Sequence, residues 1–229
     1  MTERFKRIRA LVGDVAMEKL QNATVMVVGC GAVGSFAIEA LARSGIGNII
    51  VVDFDRVEVS NINRQLFALS STVGVAKVDV AAARIRDINP NVNVRAINAY
   101  FDDKTDIDVN PDFVIDAIDT VESKVALYEW CVARNIPFAA SMGAALKSDP
   151  TQIRTARISK TSVCPLAARV RKMVRDKDIP DFPVVFSIEN PNKSAASVGR
   201  VFGSIITITG TFGLRLADIA IKSIVNSNA

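Results

Sequence analysis

The 229-residue chain contains no histidine. That removes the side chain that most often acts as a general base near neutral pH, so any reaction assigned here must run without one. Its three cysteines, Cys30, Cys131 and Cys164, lie far apart and form no Cys-x-x-Cys pair. This spacing excludes a four-thiolate zinc site and offers no disulfide framework. A reducing, cytoplasmic setting is the natural expectation. Aromatic residues make up only 6% of a chain that is 49% hydrophobic, so aliphatic side chains must build the core, as buried parallel strands require. No N-terminal apolar stretch with a basic flank reads as a secretory signal, and no internal repeat appears. Neither sign of charge dominates: 28 Lys and Arg against 24 Asp and Glu leave +4, which permits nucleic-acid contact without demanding it. The apolar segment from Gly203 to Val225 carries Arg215, Asp218 and Lys222. It reads as a buried or dimer-interface helix rather than a membrane span.

What the chain does have begins at Val25. The run Val25-Met26-Val27-Val28-Gly29-Cys30-Gly31-Ala32-Val33-Gly34 reads as a buried strand, a glycine-rich turn and the start of a helix reaching about Arg43. Gly29 permits a tight turn, Gly31 lets a phosphate approach the backbone, and Gly34 lets helix and strand pack closely. The helix N-terminus offers free N–H groups to an anion. A second apolar strand, Asn48 to Val52, ends in Asp53, 19 residues after Gly34 (53 − 34). A carboxylate there can accept both ribose hydroxyls.

The residues that follow favour ATP over a dinucleotide. A dehydrogenase usually needs an acid or base for the alcohol, and an NAD-dependent reductase fits this chain poorly. Asp55, Asn61, Arg64 and Gln65 follow Asp53 closely, and Lys77 comes soon after. Arg and Lys suit a triphosphate, one as a planar fork and one as a point charge. The buried strand Phe113 to Ile115 leads into Asp116 and Asp119, where Asp119 is placed to hold magnesium against phosphates and Asp116 reads as structural support or a second metal contact.

Alternation continues along the chain. Helices are expected at about Val15–Leu20, Val78–Ile88 and Glu122–Arg134, and strands at Val92–Ile97 and Ile136–Ala140. This is the pattern of a doubly wound, mostly parallel α/β sheet. Past Gly143 the spacing predicts an exposed strand over Gln152–Ile158 and an amphipathic helix over Cys164–Lys177, with Leu166, Val170, Met173 and Val174 on one face. Asp178 to Lys193 reads as a short loop punctuated by Pro180, Pro183 and Pro191. Arg154, Arg157, Lys160, Arg169, Arg171, Lys172 and Arg175 form the densest basic region. Cys30 and Cys131 read as small core residues, and Cys164 as an ordinary thiol despite its basic neighbours.

The ordered set Asp53-Phe54-Asp55, Ser60-Asn61-x-Asn63-Arg64-Gln65, Lys77 and Asp116-Ala117-Ile118-Asp119 resembles the ThiF/MoeB superfamily of ubiquitin-activating-enzyme-like adenylyltransferases. The resemblance implies a Rossmann-like sheet with ATP at the strand C-terminal ends. It implies that Gly29, Gly31, Gly34, Asp53, Asp55 and Gln65 surround the nucleotide, that Asn61, Arg64 and Lys77 hold the triphosphate, and that Asp119 coordinates Mg2+. Arg4-Phe5-x-Arg7 resembles an arginine arm, which implies a homodimer in which Arg7 acts in the neighbouring protomer's site. The implied reaction is attack of a carboxylate on the ATP α-phosphate. It needs no strong base, because the carboxylate is already a nucleophile; it needs charge neutralisation and positioning.

Within that superfamily, Ser141-x-Gly143, Asp149-Pro150-Thr151-Gln152-Ile153, Lys160-Thr161 and Pro165-Leu166-Ala167-Ala168 resemble the TcdA (CsdL) branch of tRNA threonylcarbamoyladenosine dehydratases. The branch implies adenylation of the threonyl carboxylate beside the tRNA anticodon, then ring closure with release of AMP and pyrophosphate. The basic region would face tRNA rather than DNA. A monovalent cation in the site and a partner from a sulfurtransferase system are further implications. The alternative is an activator of a ubiquitin-like sulfur-carrier protein; such enzymes usually carry zinc and a late cysteine, where this chain has Ala195-Ala196-Ser197-Val198 and no zinc pairs. A non-catalytic nucleotide-binding partner is a third class, disfavoured because every charged position of an ATP site is filled. Residues 1–229 are expected to form one domain: an arm and helix at 1–22, the nucleotide core at 23–145, and a basic substrate-facing extension with the apolar C-terminal helix at 146–229.

Overall fold

In a computed structural model, which describes residues 3–105, 107–192 and 202–227, the apolar runs of the sequence become the centre of a seven-stranded sheet. Strands β1 (Thr24–Val28), β2 (Asn48–Val52), β3 (Asn93–Ile97), β4 (Phe113–Asp116), β5 (Phe138–Ser141), β6 (Ile153–Arg157) and β7 (Pro183–Ser187) lie in the order β3-β2-β1-β4-β5-β7-β6. All neighbours pair in parallel except β6 and β7. The order reverses between β1 and β4, and such a switch point opens a crevice at the strand C-terminal ends.

Among the described residues seven α-helices surround the sheet: α1 (Lys6–Val12), α2 (Asp14–Asn22), α3 (Gly34–Arg43), α4 (Lys77–Ile88), α5 (Val121–Ala133), α6 (Pro165–Asp176) and α7 (Ile206–Asn226). Successive strand residues point to opposite faces. Val25, Val27, Ile49, Val51 and Ile115 therefore pack with Ile38 and Leu41 of α3, Ile85 of α4 and Phe212 and Leu216 of α7. Met26, Val28, Ile50 and Val114 face Leu127, Tyr128 and Cys131 of α5 and Val170 and Val174 of α6. Burying each large aliphatic side chain contributes about 1.5–3 kcal/mol, so the central strands need no polar face.

The apolar C-terminal segment is α7, laid across α3 and the sheet, with Ile208, Phe212, Leu216 and Ala220 fully buried. Among the described residues no helix is long and apolar enough to cross a membrane. The other sequence-predicted elements appear with ends shifted by a few residues. Proline punctuation works at α4, which stops before Asn89-Pro90 with Asn89 extended, and at α6, which opens on Pro165.

One expectation fails. The supposed loop from Asp178 to Lys193 contains β7, whose Val184 and Val185 are fully buried. Three prolines suggested a loop, but Pro183 occupies only the first strand residue, where a missing donor is tolerated. Helix α1 falls within the expected N-terminal helical arm, and its seven residues carry no buried side chain. The expected exposed strand is β6, an edge strand whose Ile153 is buried while Arg154 and Arg157 are exposed.

Candidate active site

The glycine loop leaves β1 through Gly29, whose φ of +96° favours glycine. A Cβ there would sit 2.7 Å from the Ala117 carbonyl oxygen, and one on Gly34 would sit 1.7 Å from that of Gly29. Both positions therefore let the loop fold tightly against β4 and the start of α3. A Cβ on Gly31 would find nothing nearer than Gln65 Nε2 at 3.8 Å, so the loop is bare toward the cavity in front of it. The N–H groups of Gly31, Ala32 and Val33 line that cavity and have no acceptor among the described residues.

The cavity, about 870 Å3 in volume, occupies the crevice at the switch point. Asp53 stands on its wall, 9% exposed, with one carboxylate oxygen accepting from Cys30 N at 2.6 Å and the other from Asp55 N at 2.8 Å. Each oxygen keeps a free lone pair, so the fixed carboxylate can still accept two hydroxyls. Lys77 Nζ meets Asp55 Oδ2 at 2.7 Å, and Lys77 N donates to the Asp55 carbonyl at 2.9 Å, which clamps the first turn of α4 to the strand end of β2. The Ser35 hydroxyl accepts from Leu66 N at 3.1 Å and ties α3 to the turn carrying Arg64 and Gln65. Asp119 is exposed on the cavity wall and makes no hydrogen bond or ion pair among the described residues.

Beneath Asp119 lies a closed network. Asp116 Oδ1 accepts from Ile118 N at 2.9 Å, while Oδ2 accepts from Lys124 Nζ at 2.8 Å and from Tyr128 Oη at 2.5 Å. Lys124 also donates to the Ser141 carbonyl at 2.7 Å. Asp116, Lys124 and Tyr128 are fully buried, and burial beside Asp116 pushes the Tyr128 phenol well up. Fully buried and absent from the cavity wall, Asp116 with its three donors supports the turn that carries Asp119. The Cys30 thiol is buried in the glycine loop and held well above its ordinary value by burial and by Asp53, so it is inert.

The sequence model of the ThiF family matches residues 5–229. The chain belongs to the ThiF family. Its relatives include the tRNA threonylcarbamoyladenosine dehydratase of Bacillus subtilis, 48% identical over 195 residues that cover 83% of this chain and 77% of the relative. The crystal structure of the Escherichia coli tRNA N6-threonylcarbamoyladenosine dehydratase, TcdA, in complex with ATP superposes with a TM-score of 0.89 at 38% identity, covering 97% of this chain and 93% of that one. The E. coli molybdopterin-synthase adenylyltransferase is 34% identical over 134 residues, covering 58% of this chain and 53% of that protein. Likeness to the dehydratases thus runs past the nucleotide core into the region after Gly143, and the chain's seven-stranded α/β fold is that of the TcdA structures.

Of the residues expected to form the site, the structure brings Gly29, Gly31, Asp53, Asp55, Arg64, Gln65, Lys77 and Asp119 to one cavity. Gly34 stands behind the loop as a packing position. Asn61 is off the cavity wall: its Oδ1 accepts from Glu58 N at 3.1 Å and caps its own turn. Arg7 is exposed on α1 and does not line its own chain's cavity. Among the basic residues, Arg154, Arg157, Lys160, Arg169, Lys172 and Arg175 are exposed, but Arg171 is half-buried and donates to the Thr161 carbonyl and hydroxyl. The Ala195–Val198 stretch lies outside the described residues.

Sequence reasoning missed several wall residues. Phe54 and Tyr100 meet edge to face at 5.0 Å beside Asp53, and Ser123 donates to the Tyr100 hydroxyl at 2.8 Å. Lys147 lines the far wall with Met142, Leu146, Cys164 and Leu166. No spacing rule relates Tyr100 or Lys147 to the glycine loop; only the sheet order does.

Proposed function

We propose that this chain is an ATP-dependent tRNA threonylcarbamoyladenosine dehydratase, converting that nucleoside to its cyclic form with release of AMP and pyrophosphate. The observation that carries the reading is the continuity of the cavity. One wall bears the phosphate-binding features around Gly31, and the other is built from the Ser141–Leu166 region that the dehydratase relatives share.

The chain's residues divide the work. Asp53 accepts the ribose hydroxyls, the bare glycine loop and the open amides at Gly31–Val33 receive phosphate, and Phe54 and Tyr100 flank the base. Arg64 and Lys77 neutralise the triphosphate as the carboxylate approaches the α-phosphate, with Gln65 beside them. Asn61 supports this set by shaping the turn that presents Arg64. The donor set fits magnesium, a hard cation that takes oxygen ligands and keeps water, because Asp119 offers an unspent carboxylate at the strand end. When bound there, magnesium would supply positive charge to the phosphates. Once the acyl adenylate forms, a nitrogen of the same side chain attacks it, closing the ring and expelling AMP. No enzyme nucleophile is needed, which suits a chain whose cavity cysteine, Cys164, is buried.

The same reading gives Arg154, Arg157, Lys160, Arg169, Lys172 and Arg175 the phosphates of an anticodon stem, with Arg171 holding the helix in place. It makes the protein a homodimer, since Arg7 must serve a cavity other than its own. It retains residues 1–229 as one domain, with arm, core and extension divided near residues 22 and 145, and it leaves room for a monovalent cation and a sulfurtransferase partner.

The test is turnover by purified protein offered ATP with threonylcarbamoylated tRNA, unmodified tRNA or no RNA, with the digested nucleosides weighed by mass spectrometry. Loss of one water from the modified adenosine, with AMP release in that sample alone, is expected. AMP release only with a small protein ending in Gly-Gly would replace this reading with the sulfur-carrier activator.

A further inference from the structure

Three cations line the described wall of the cavity: Arg64, Lys77 and Lys147. Arg64 and Lys77 follow the glycine loop and serve its phosphate side. Lys147 comes from the opposite wall, at the end of the run that leaves β5. Lys147 is almost closed off, 5% exposed. Among the described residues its amine donates to one group, the backbone carbonyl of Glu189, and it forms no ion pair. The Glu189 carboxylate is committed elsewhere, accepting from Ser148 N and Asp149 N at 3.0 Å and from the Ser148 hydroxyl at 3.1 Å. Lys77 differs, since it already holds Asp55.

A buried ammonium without a counter-ion is costly, and proteins pair such groups or place them where a ligand will. Burial draws the Lys147 amine below the ordinary lysine value, while nearby Cys164 and Glu189 oppose that shift. An anion arriving beside it would favour the charged form. The proposed reaction supplies one, because it brings a carboxylate against a triphosphate. Like charges repel, and the cations on the phosphate side serve the triphosphate, so the incoming carboxylate needs a cation of its own.

We propose that Lys147 is the specificity-determining cation of the site: it receives the substrate's carboxylate and steers it toward the phosphate-bearing half of the cavity. The proposal rests on the dehydratase reading. It explains how the cavity would distinguish the modified nucleoside from plain adenosine, which lacks the carboxylate.

The decisive variant is Lys147→Gln, which keeps a donor for the Glu189 carbonyl while removing the charge. Binding of threonylcarbamoylated and unmodified tRNA would be compared in wild type and variant, alongside ATP affinity, thermal midpoint and steady-state kinetics. The wild type is expected to prefer the modified tRNA by about tenfold or more, and Lys147→Gln to lose most of that preference. Its KM for modified tRNA should rise about tenfold with a smaller change in kcat, at unchanged ATP affinity and midpoint. Lys147→Arg should recover part of the preference. An active wild type with an unaffected Lys147→Gln overturns this inference alone. Loss of preference together with ATP affinity or thermal midpoint overturns it by assigning Lys147 to the fold, and so does a Lys147→Arg protein as impaired as Lys147→Gln. A wild type inert toward modified tRNA overturns the dehydratase reading and this inference with it.

Discussion

Lys124–Asp116 and Lys77–Asp55 are two lysine–aspartate pairs of nearly equal length, 2.8 and 2.7 Å, that meet opposite surroundings. In the first, both side chains are fully buried and every polar atom is committed: Asp116 also takes Tyr128 and Ile118, and Lys124 also takes the Ser141 carbonyl. In the second, the Lys77 side chain is 8% exposed but that of Asp55 is 47% exposed, and the pair stands on the cavity wall with no other partner for either side-chain charge among the described residues. Distance alone does not separate a structural ion pair from a functional one. The capacity left over does: a pair whose partners all lie within the chain holds the fold, and a pair with an open side can exchange its partner for a ligand.

The sharpest test removes one lysine from each. Lys124→Met leaves Asp116 buried with its charge uncompensated, and should cost about 3–5 kcal/mol in urea unfolding. Lys77→Met leaves a half-exposed aspartate that water can solvate, and should cost less than about 1 kcal/mol while lowering ATP turnover by roughly a hundredfold or more. Equal losses of stability would break the distinction. Asp119, the open counterpart of Asp116 three residues earlier, extends it: Asp119→Ala should keep the unfolding midpoint and abolish adenylation.

The comparison also marks where sequence was enough. The glycine loop, Asp53, Lys77 and Asp119 were legible because each sits at a fixed step from a strand end, and a strand of aliphatics is hard to mistake. The support under Asp119 was only half legible. Asp116 was recognised as structural, but Lys124 and Tyr128 lie on a helix that is apolar around much of its circumference, with no face to single them out. The far wall was least legible: β7 hid among prolines, and Lys147 gains meaning only when β5 and β7 become neighbours. Local rules read local geometry, and a cavity closed by sheet order does not obey them.

Arg7 carries the idea beyond one chain. It is exposed, and its own cavity does not include it. Mixing Arg7→Ala with Asp119→Ala protein should recover part of the turnover that each lacks alone, because one composite site then has both groups intact. Confirmed heterodimers without recovery would mean that Arg7 acts within its own chain or not at all.

The smallest expected effect lies on the basic helix, where open and closed charges alternate. Arg169 and Lys172 are exposed with no partner among the described residues, whereas Arg171 is tied to Thr161. If open charges serve ligands, replacing Arg169 and Lys172 by Gln should flatten the salt dependence of tRNA binding by about 1–2 in the log–log slope, because two phosphate contacts release fewer counterions. Arg171→Gln should leave that slope unchanged and lower the thermal midpoint slightly, since its bonds to Thr161 brace the start of α6. The reverse pattern, with Arg171 setting the slope and the exposed pair silent, would show that commitment within the chain does not predict which charges meet RNA.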